Sequence, residues 1–455
     1  MAVSAWHAEL AWLGPGRGIA ERVLVEAGGD RIAAVREGVD PPADAVRLPG
    51  VTIPGLANAH SHAFHRALRG RTHRGKGDFW AWREQMYQLA ARLDPDRYLE
   101  LATAAYAEMA LAGVTAVGEF HYLHHDPAGR PYADPNRMGH ALVEAAGRAG
   151  VRLTLIDTCY LRAGLDGEPL AGPQVRFGDG DAAAWAERAG ALEVEGPTLR
   201  QAGGRGVRVA AGIHSVRAVD QAGMALVAAW ARDRDAPLHL HLSEQRAENQ
   251  ACLAATGRTP AALAEAAGVL GPRTTAVHAT HLTGDDVARL GATRTTACLC
   301  PTTERDLADG VGPASALAGA GSPLCLGSDS HAIVDLFEEA RAVELDERLA
   351  TERRGHHRAE DLLAAATAAG MHALGWDAGR LAPGQLADLV AVRLHSPRLA
   401  GARPADLVDH LVFAATAADV THVVVGGRPV VEDGRHRLVG DVAAALARAI
   451  HALDA

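Results

Sequence analysis

Eight short apolar runs, rich in β-branched residues, recur through the middle of the chain, with alanine-rich stretches of helical spacing between them. The strand candidates are 51–62 (VTIPGLANAHSH), 114–122, 151–160, 207–216, 237–245, 274–281, 293–301 and 323–331. The helical stretches include 98–112, 136–149, 219–233 and 333–347. Strands alternating with helices predict parallel pairing, and eight of them predict an α/β fold of the (β/α)8 TIM-barrel type. The flanks read differently. Residues 1–50 and about 380–438 hold shorter alternating runs broken by GG and DG turns, as in THVVVGGRPVVEDGR, which predict strands and hairpins. The simplest organisation is a (β/α)8 barrel over 55–379 and one small β-sandwich domain built from 1–54 and 380–455, with a C-terminal helix.

Polar residues interrupt the apolar pattern in one kind of place. His60, His62, Glu119, His121, His214, His241, Glu244, His278 and Asp329 all fall at or just past the C-terminal end of a predicted strand. In such barrels that end carries the active site. Packing alone does not account for the crowd, because a buried polar group is costly unless it is paired or ligated.

Composition narrows the class. A chain of 455 residues with 48% hydrophobic positions can bury the core of a large barrel and a smaller domain. A net charge of −10 argues against a nucleic-acid partner. No apolar run of about 18 residues predicts a membrane span. The opening MAVSAWHAEL has no basic segment followed by an apolar one, so no secretory signal is expected. Four of the five cysteines (Cys159, Cys298, Cys300 and Cys325, but not Cys252) sit in strand-like runs, which reads as buried free thiols in a reducing cytoplasm. Of the 45 basic residues only Lys76 is lysine, so no other position can supply lysine chemistry.

The strongest local motif is His60-Ser61-His62. Residues two apart on a strand share a face, so both imidazoles can reach one divalent metal. Alone the motif is weak, since neighbouring histidines are often surface or interior residues with other partners. His241 at the end of the fifth strand, His278 at the sixth and Asp329 at the eighth strengthen it, because strand ends far apart in sequence converge in a barrel. Three imidazoles and one carboxylate suit zinc, with a position left for a water whose pKa the metal lowers towards neutrality. Asp329 can ligate weakly and take a proton. Glu244, three residues beyond His241, can carry a proton to a leaving nitrogen, although spacing alone reads it as a solvated loop carboxylate. His239 shares parity with His241 but lies deeper and reads as an interior residue. Cys298 and Cys300 read as strand core rather than thiolate ligands. His124 and His125 stay open between capping a loop and touching substrate.

These residues carry a resemblance that spans nearly the whole chain. HSH after the first strand, HLSEQ after the fifth, VHATH on the sixth and GSDSH on the eighth resemble the deaminase branch of the amidohydrolase superfamily. Within it, NAHSHAFHRALRG, DFWAWREQMY, GEFHYLHHD, GIHSVRAV and LCPTTERDLADG resemble the formiminoglutamate deiminases (N-formimino-L-glutamate iminohydrolases). The resemblance implies hydrolysis of the formimino group of N-formimino-L-glutamate to N-formyl-L-glutamate and ammonia, in histidine degradation. It implies His60, His62, His241 and Asp329 as ligands of one Zn2+, Glu244 as proton shuttle, and His278 beside the attacking oxygen and the oxyanion. It implies Tyr122, His214 and Arg217 as contacts to a small dicarboxylate substrate. Arg83 is a further candidate, in its own site or a neighbouring subunit's. A homodimer is implied as well. Arg binds carboxylates through two parallel bonds, which fits such a substrate; without the motif, Arg217 reads as a surface residue at a helix start. The family pattern has Gln where this chain has His65, and His also donates and accepts.

Two other readings remain. One is another deaminase of this branch, acting on a nucleobase, nucleoside or triazine. The other is a non-catalytic metal-binding barrel, which the full ligand set together with Glu244 and His278 disfavours.

Overall fold

The protein is described from a computed structural model over residues 3–73, 79–192 and 206–454. Among the described residues, sixteen strands form two sheets of eight. Four come first: β1 (Val3–Trp12), β2 (Ile19–Gly28), β3 (Arg31–Arg36) and β4 (Val46–Pro54). The barrel strands follow: β5 (Leu56–Ser61), β6 (Val114–His121), β7 (Arg152–Cys159), β8 (Val207–Ile213), β9 (Leu238–Leu242), β10 (Thr274–His278), β11 (Thr296–Leu299) and β12 (Leu324–Leu326). The chain ends with β13 (Leu389–Val392), β14 (Val420–Val425), β15 (Arg428–Glu432) and β16 (Arg435–His436).

Strands β5 to β12 pair in sequence order, all parallel. The ring closes at its C-terminal rim, where Ser61 bridges Asp329. There Asp329 N donates to His60 O at 3.0 Å, and His62 N donates to Asp329 O at 3.2 Å. The closure itself therefore sets the His-x-His segment beside the aspartate of the last strand. The connecting helices start as their sequences direct. Asp94, Asp220 and Asp335 cap Pro95–Leu111, Gln221–Asp233 and Leu336–Thr351 by accepting backbone N–H bonds. Gly150, with φ 76°, ends Arg137–Ala149 in the left-handed conformation that glycine adopts without cost.

The run 51–62 reads as one strand and folds as two. Its first part completes β4, which pairs with β1 and β13, and its second part is β5 of the barrel. The crossing is at Gly55, whose N–H donates to Asp388 O at 2.9 Å. A side chain there would collide with Thr115.

The second sheet joins the two ends of the chain, in the order β16-β15-β14-β13-β4-β1-β2-β3. The amino- and carboxyl-terminal halves meet at β4 and β13, with Pro54 opposite Leu389 and Val51 opposite Val392. A buried ion pair fastens this sheet to the barrel: Arg152 Nε donates to Asp388 Oδ2 at 2.8 Å and Nη2 to Oδ1 at 3.0 Å. The C-terminal helix Val442–His451 lies against Pro95–Leu111. All five cysteines are buried and free. Among the described residues no helix is long and apolar enough to cross a membrane. Lys76 lies outside the described residues.

Candidate active site

At the C-terminal rim of the barrel, one ligand atom each from His60, His62, His241 and Asp329 lies within 4.8 Å of the others, and all four residues are buried. Asp329 Oδ1 is 3.3 Å from Nε2 of both His60 and His62, and His241 Nε2 is 3.1 Å from His60 Nε2. Backbone carbonyls orient two of the rings. His62 Nδ1 donates to Phe120 O at 3.0 Å, and His241 Nδ1 donates to His214 O at 2.9 Å. A donating Nδ1 leaves the Nε2 lone pair for a metal. Burial pushes the His60 imidazole down to about 3 and His241 well below its usual range, so both are neutral, the ligating form. The converging nitrogens and single carboxylate fit one divalent ion.

Glu119 braces this cluster from below. Its carboxyl accepts from Ser61 Oγ at 3.0 Å and from Ala63 N at 2.7 Å, and Ser61 Oγ also meets His331 Nε2 at 2.9 Å. The segment carrying both histidines is thus held on either side of Ser61. Backbone strain gathers here as well. Ser243, His278, Ala279 and Asp329 all have positive φ, at 55°, 68°, 52° and 41°. Non-glycine residues persist in such conformations, at about 1–3 kcal/mol each, only where the surroundings enforce them.

Glu244 and His278 lie at the mouth of the cluster. His278 Nε2 is 3.8 Å from Glu244 Oε1 and 4.0 Å from Asp329 Oδ2, while its Nδ1 is 3.4 Å from Glu304 Oε1. Burial alone would push His278 down, but the Glu244, Glu304 and Asp329 carboxylates overcome it and raise the imidazole to about 10. Burial pushes the Glu244 carboxyl well above the ordinary carboxylate range, against the pull of His278. A cationic imidazole beside a carboxyl that holds a proton near neutrality can move protons. His278, Cys300 and Glu304 also form a close group that could hold an ion. Glu304 Oε1, however, already accepts from Cys300 N at 2.9 Å and fixes His278.

The opposite wall of the same cavity carries His65, Arg83, Tyr87, Tyr122, Tyr160, His214 and Arg217. Arg83 Nε donates to Tyr87 Oη at 2.6 Å, and Arg217 Nη1 reaches Tyr160 Oη at 3.3 Å and Ala163 O at 3.5 Å. His214 packs on Tyr160 with ring centroids 4.3 Å apart, and His65 Nε2 is 3.3 Å from Tyr122 Oη.

The metal-ligating, proton-moving and substrate-binding candidates named from the sequence are thus brought to one place, and Arg83 lines the cavity of its own chain. His121 is not: it packs against His124, with centroids 4.9 Å apart. His124 bonds Thr158 O at 2.9 Å and His125 meets Asp179 at 3.1 Å, so both serve the scaffold. His239 bonds Ala373 O at 3.0 Å in the interior, and Cys298 and Cys300 lie in an apolar cluster under the site. Sequence reasoning missed Tyr87, Tyr160, Gln174 and Glu304. Tyr160 follows β7 directly, and Tyr87 and Glu304 lie inside the DFWAWREQMY and LCPTTERDLADG motifs, so position and motif each held a signal. Gln174 sits in a short turn, Gly172–Arg176, without one.

A closed parallel barrel with this polar rim has the architecture of a metal-dependent hydrolase, and the comparisons with known proteins make the bond it acts on C–N. The chain belongs to the amidohydrolase family, whose model matches residues 51–430. It is 39% identical over 405 residues to a formimidoylglutamate deiminase of Pseudomonas aeruginosa, covering 86% of this chain and 87% of that protein. A 5-methylthioadenosine/S-adenosylhomocysteine deaminase of Natronomonas pharaonis is 30% identical, with 84% and 82% covered. The crystal structure of an amidohydrolase from Brucella melitensis superposes with a TM-score of 0.90 at 32% identity, over 99% of this chain and 100% of that one.

Proposed function

We propose that this chain hydrolyses N-formimino-L-glutamate to N-formyl-L-glutamate and ammonia, using one Zn2+. One observation carries the reading: two guanidinium groups, Arg83 and Arg217, line the same cavity as His62, His241 and Asp329. A substrate with two carboxylates needs two such partners, and a neutral heterocycle needs neither. The relative from Pseudomonas aeruginosa supports the same substrate.

His60, His62, His241 and Asp329 hold the metal, and their N3O donor set suits zinc. Zinc, when bound, supplies Lewis acidity and lowers the pKa of water. The residues of the chain do the rest. Arg83 and Arg217 bind the two carboxylates, and Tyr122 and His214 complete the wall. His65 meets the formimino group. Asp329 takes a proton from the attacking water, and the cationic His278 stabilises charge developing on the oxygen. Glu244 and Asp329 between them pass both protons of the attacking water to the imine nitrogen, which leaves as ammonia as the C–N bond breaks and the oxygen becomes the formyl carbonyl. The five buried free thiols support a reducing, cytoplasmic setting.

The test is ammonia release from N-formimino-L-glutamate beside adenosine, cytosine and guanine. A preference for the formimino substrate is expected. The similarity to a nucleoside deaminase keeps one rival, and faster turnover of a heterocycle would install it in place of this reading.

A further inference from the structure

The side-chain amide of Gln174 stands between two tyrosines of the cavity wall and is itself buried. Its Nε2 is 3.1 Å from Tyr87 Oη and 3.0 Å from Tyr160 Oη. An amide nitrogen has two hydrogens and accepts nothing, so both phenol oxygens are acceptors towards Gln174. Each phenol oxygen accepts a second bond, Tyr87 from Arg83 at 2.6 Å and Tyr160 from Arg217 at 3.3 Å. A phenol has two acceptor positions and one hydrogen. With both positions filled by an amide and a guanidinium, each tyrosine has only its O–H hydrogen to give; the two phenols also bond each other, which takes up one of these hydrogens and leaves one. Both rings line the cavity, as do both arginines.

We propose that Gln174 is a positioning residue that turns the one O–H hydrogen left over by the Tyr87–Tyr160 pair into the cavity, where it donates to a substrate carboxylate. The inference rests on the dicarboxylate reading above and deepens it. Gln174 touches no substrate; it acts through the two phenols. The consequence is specificity for a group that only accepts. A carboxylate meets an O–H donor as well as the guanidinium donors, whereas a carboxamide turns its own N–H groups towards one of them and leaves donors facing donors.

Gln174→Glu and Gln174→Met separate this role from packing. Glutamate keeps the shape but reverses the polarity: its carboxylate accepts from both phenols and draws their hydrogens away from the ligand. Methionine only removes the amide. The zinc-loaded full chain is assayed for ammonia release from N-formimino-L-glutamate, and glutarate binding is measured by calorimetry as a carboxylate probe independent of turnover. Gln174→Glu is expected to raise KM and weaken glutarate by roughly 30- to 100-fold, and Gln174→Met by about 3- to 10-fold. In both, kcat should stay within about threefold, the signature of lost ground-state binding. Metal content should match wild type. Glutarate affinity and KM within about twofold of wild type in Gln174→Glu would overturn the proposal, because the amide would then present its oxygen to the phenols. Equal losses in the two variants with a lowered Tm would overturn it too, in favour of packing alone. If wild type releases no ammonia from N-formimino-L-glutamate but glutarate affinity still falls in the order wild type, Met, Glu, the substrate assignment fails and this inference stands. If the substrate is turned over without that order, only this inference fails.

Discussion

The two ends of the cavity are built in different ways. At the metal end, His60, His241 and Asp329 sit on or just past barrel strands, and His62 follows β5 directly. Backbone fixes them: Phe120 O and His214 O orient two rings, and the closing bonds of the barrel hold Asp329. At the other end, Arg83 and Tyr87 come from the helix Phe79–Ala90, while Tyr160, Gln174 and Arg217 come from turns and strand exits. These residues hold one another, side chain to side chain. The first arrangement cannot change without disturbing the barrel. The second can be rebuilt residue by residue while the barrel stands. A division of this kind lets one barrel carry different substrates, because function lives in the site and not in the fold.

The comparison breaks most easily at the metal end. His241→Ala should lose the metal and, with it, all measurable turnover; mass spectrometry should find about one equivalent of metal in wild type. Retained metal with full activity would remove His241 from the ligand set. Glu244→Gln should lower turnover by about 10²- to 10⁴-fold with metal content near wild type, since in the proposed mechanism Glu244 moves protons and holds no ion. Loss of metal from that variant would instead make Glu244 a ligand.

Arg217→Met tests the other end. It keeps much of the side-chain length and removes the charge. Losing one partner of a desolvated charge pair costs about 2–5 kcal/mol, so kcat/KM for N-formimino-L-glutamate should fall roughly 30- to several-thousand-fold. Metal should remain, and kcat should fall less than 1/KM does. An analogue lacking the carboxylate that Arg217 holds should show a much smaller difference between variant and wild type. If the variant loses metal along with affinity, the two ends are not independent and the contrast between them is wrong.

The same contrast governs what was legible in the amino-acid sequence. Strand periodicity places a residue at the rim of a barrel, so His60, His62, His241, His278 and Asp329 stand out in the pattern of the chain itself. It says nothing of the loops, so the Gln174 amide, which bonds two tyrosines at 3.1 and 3.0 Å, left no mark in that pattern. The run 51–62 was legible as extended chain but not as two strands, because the division depends on Asp388 O, far along the sequence, meeting Gly55 N. His121 shows the opposite error. It ends β6 as the cavity residues end theirs, yet it packs against His124 behind the wall, since a strand end fixes a height on the barrel and not which way a side chain turns.

His65 gives the smallest expected effect, and it tests the joint between the two ends. Its ring lies 4.5 Å from that of His62, a metal-end residue, while its Nε2 meets Tyr122 Oη of the substrate wall at 3.3 Å. Burial holds the imidazole well below its usual range, so it is neutral, with one donor and one acceptor. Gln supplies the same pair, so His65→Gln should keep turnover of N-formimino-L-glutamate within about threefold of wild type. His65→Ala removes both and leaves Tyr122 without this partner. A lost hydrogen bond to a reacting group costs about 1–2 kcal/mol, so kcat/KM should fall by about 5- to 30-fold, with metal retained. Equal activity in the Ala variant would mean that His65 does not touch the reacting group. The Ala variant losing metal would mean that His65 supports His62, and the boundary between the two ends would then run on the other side of this ring.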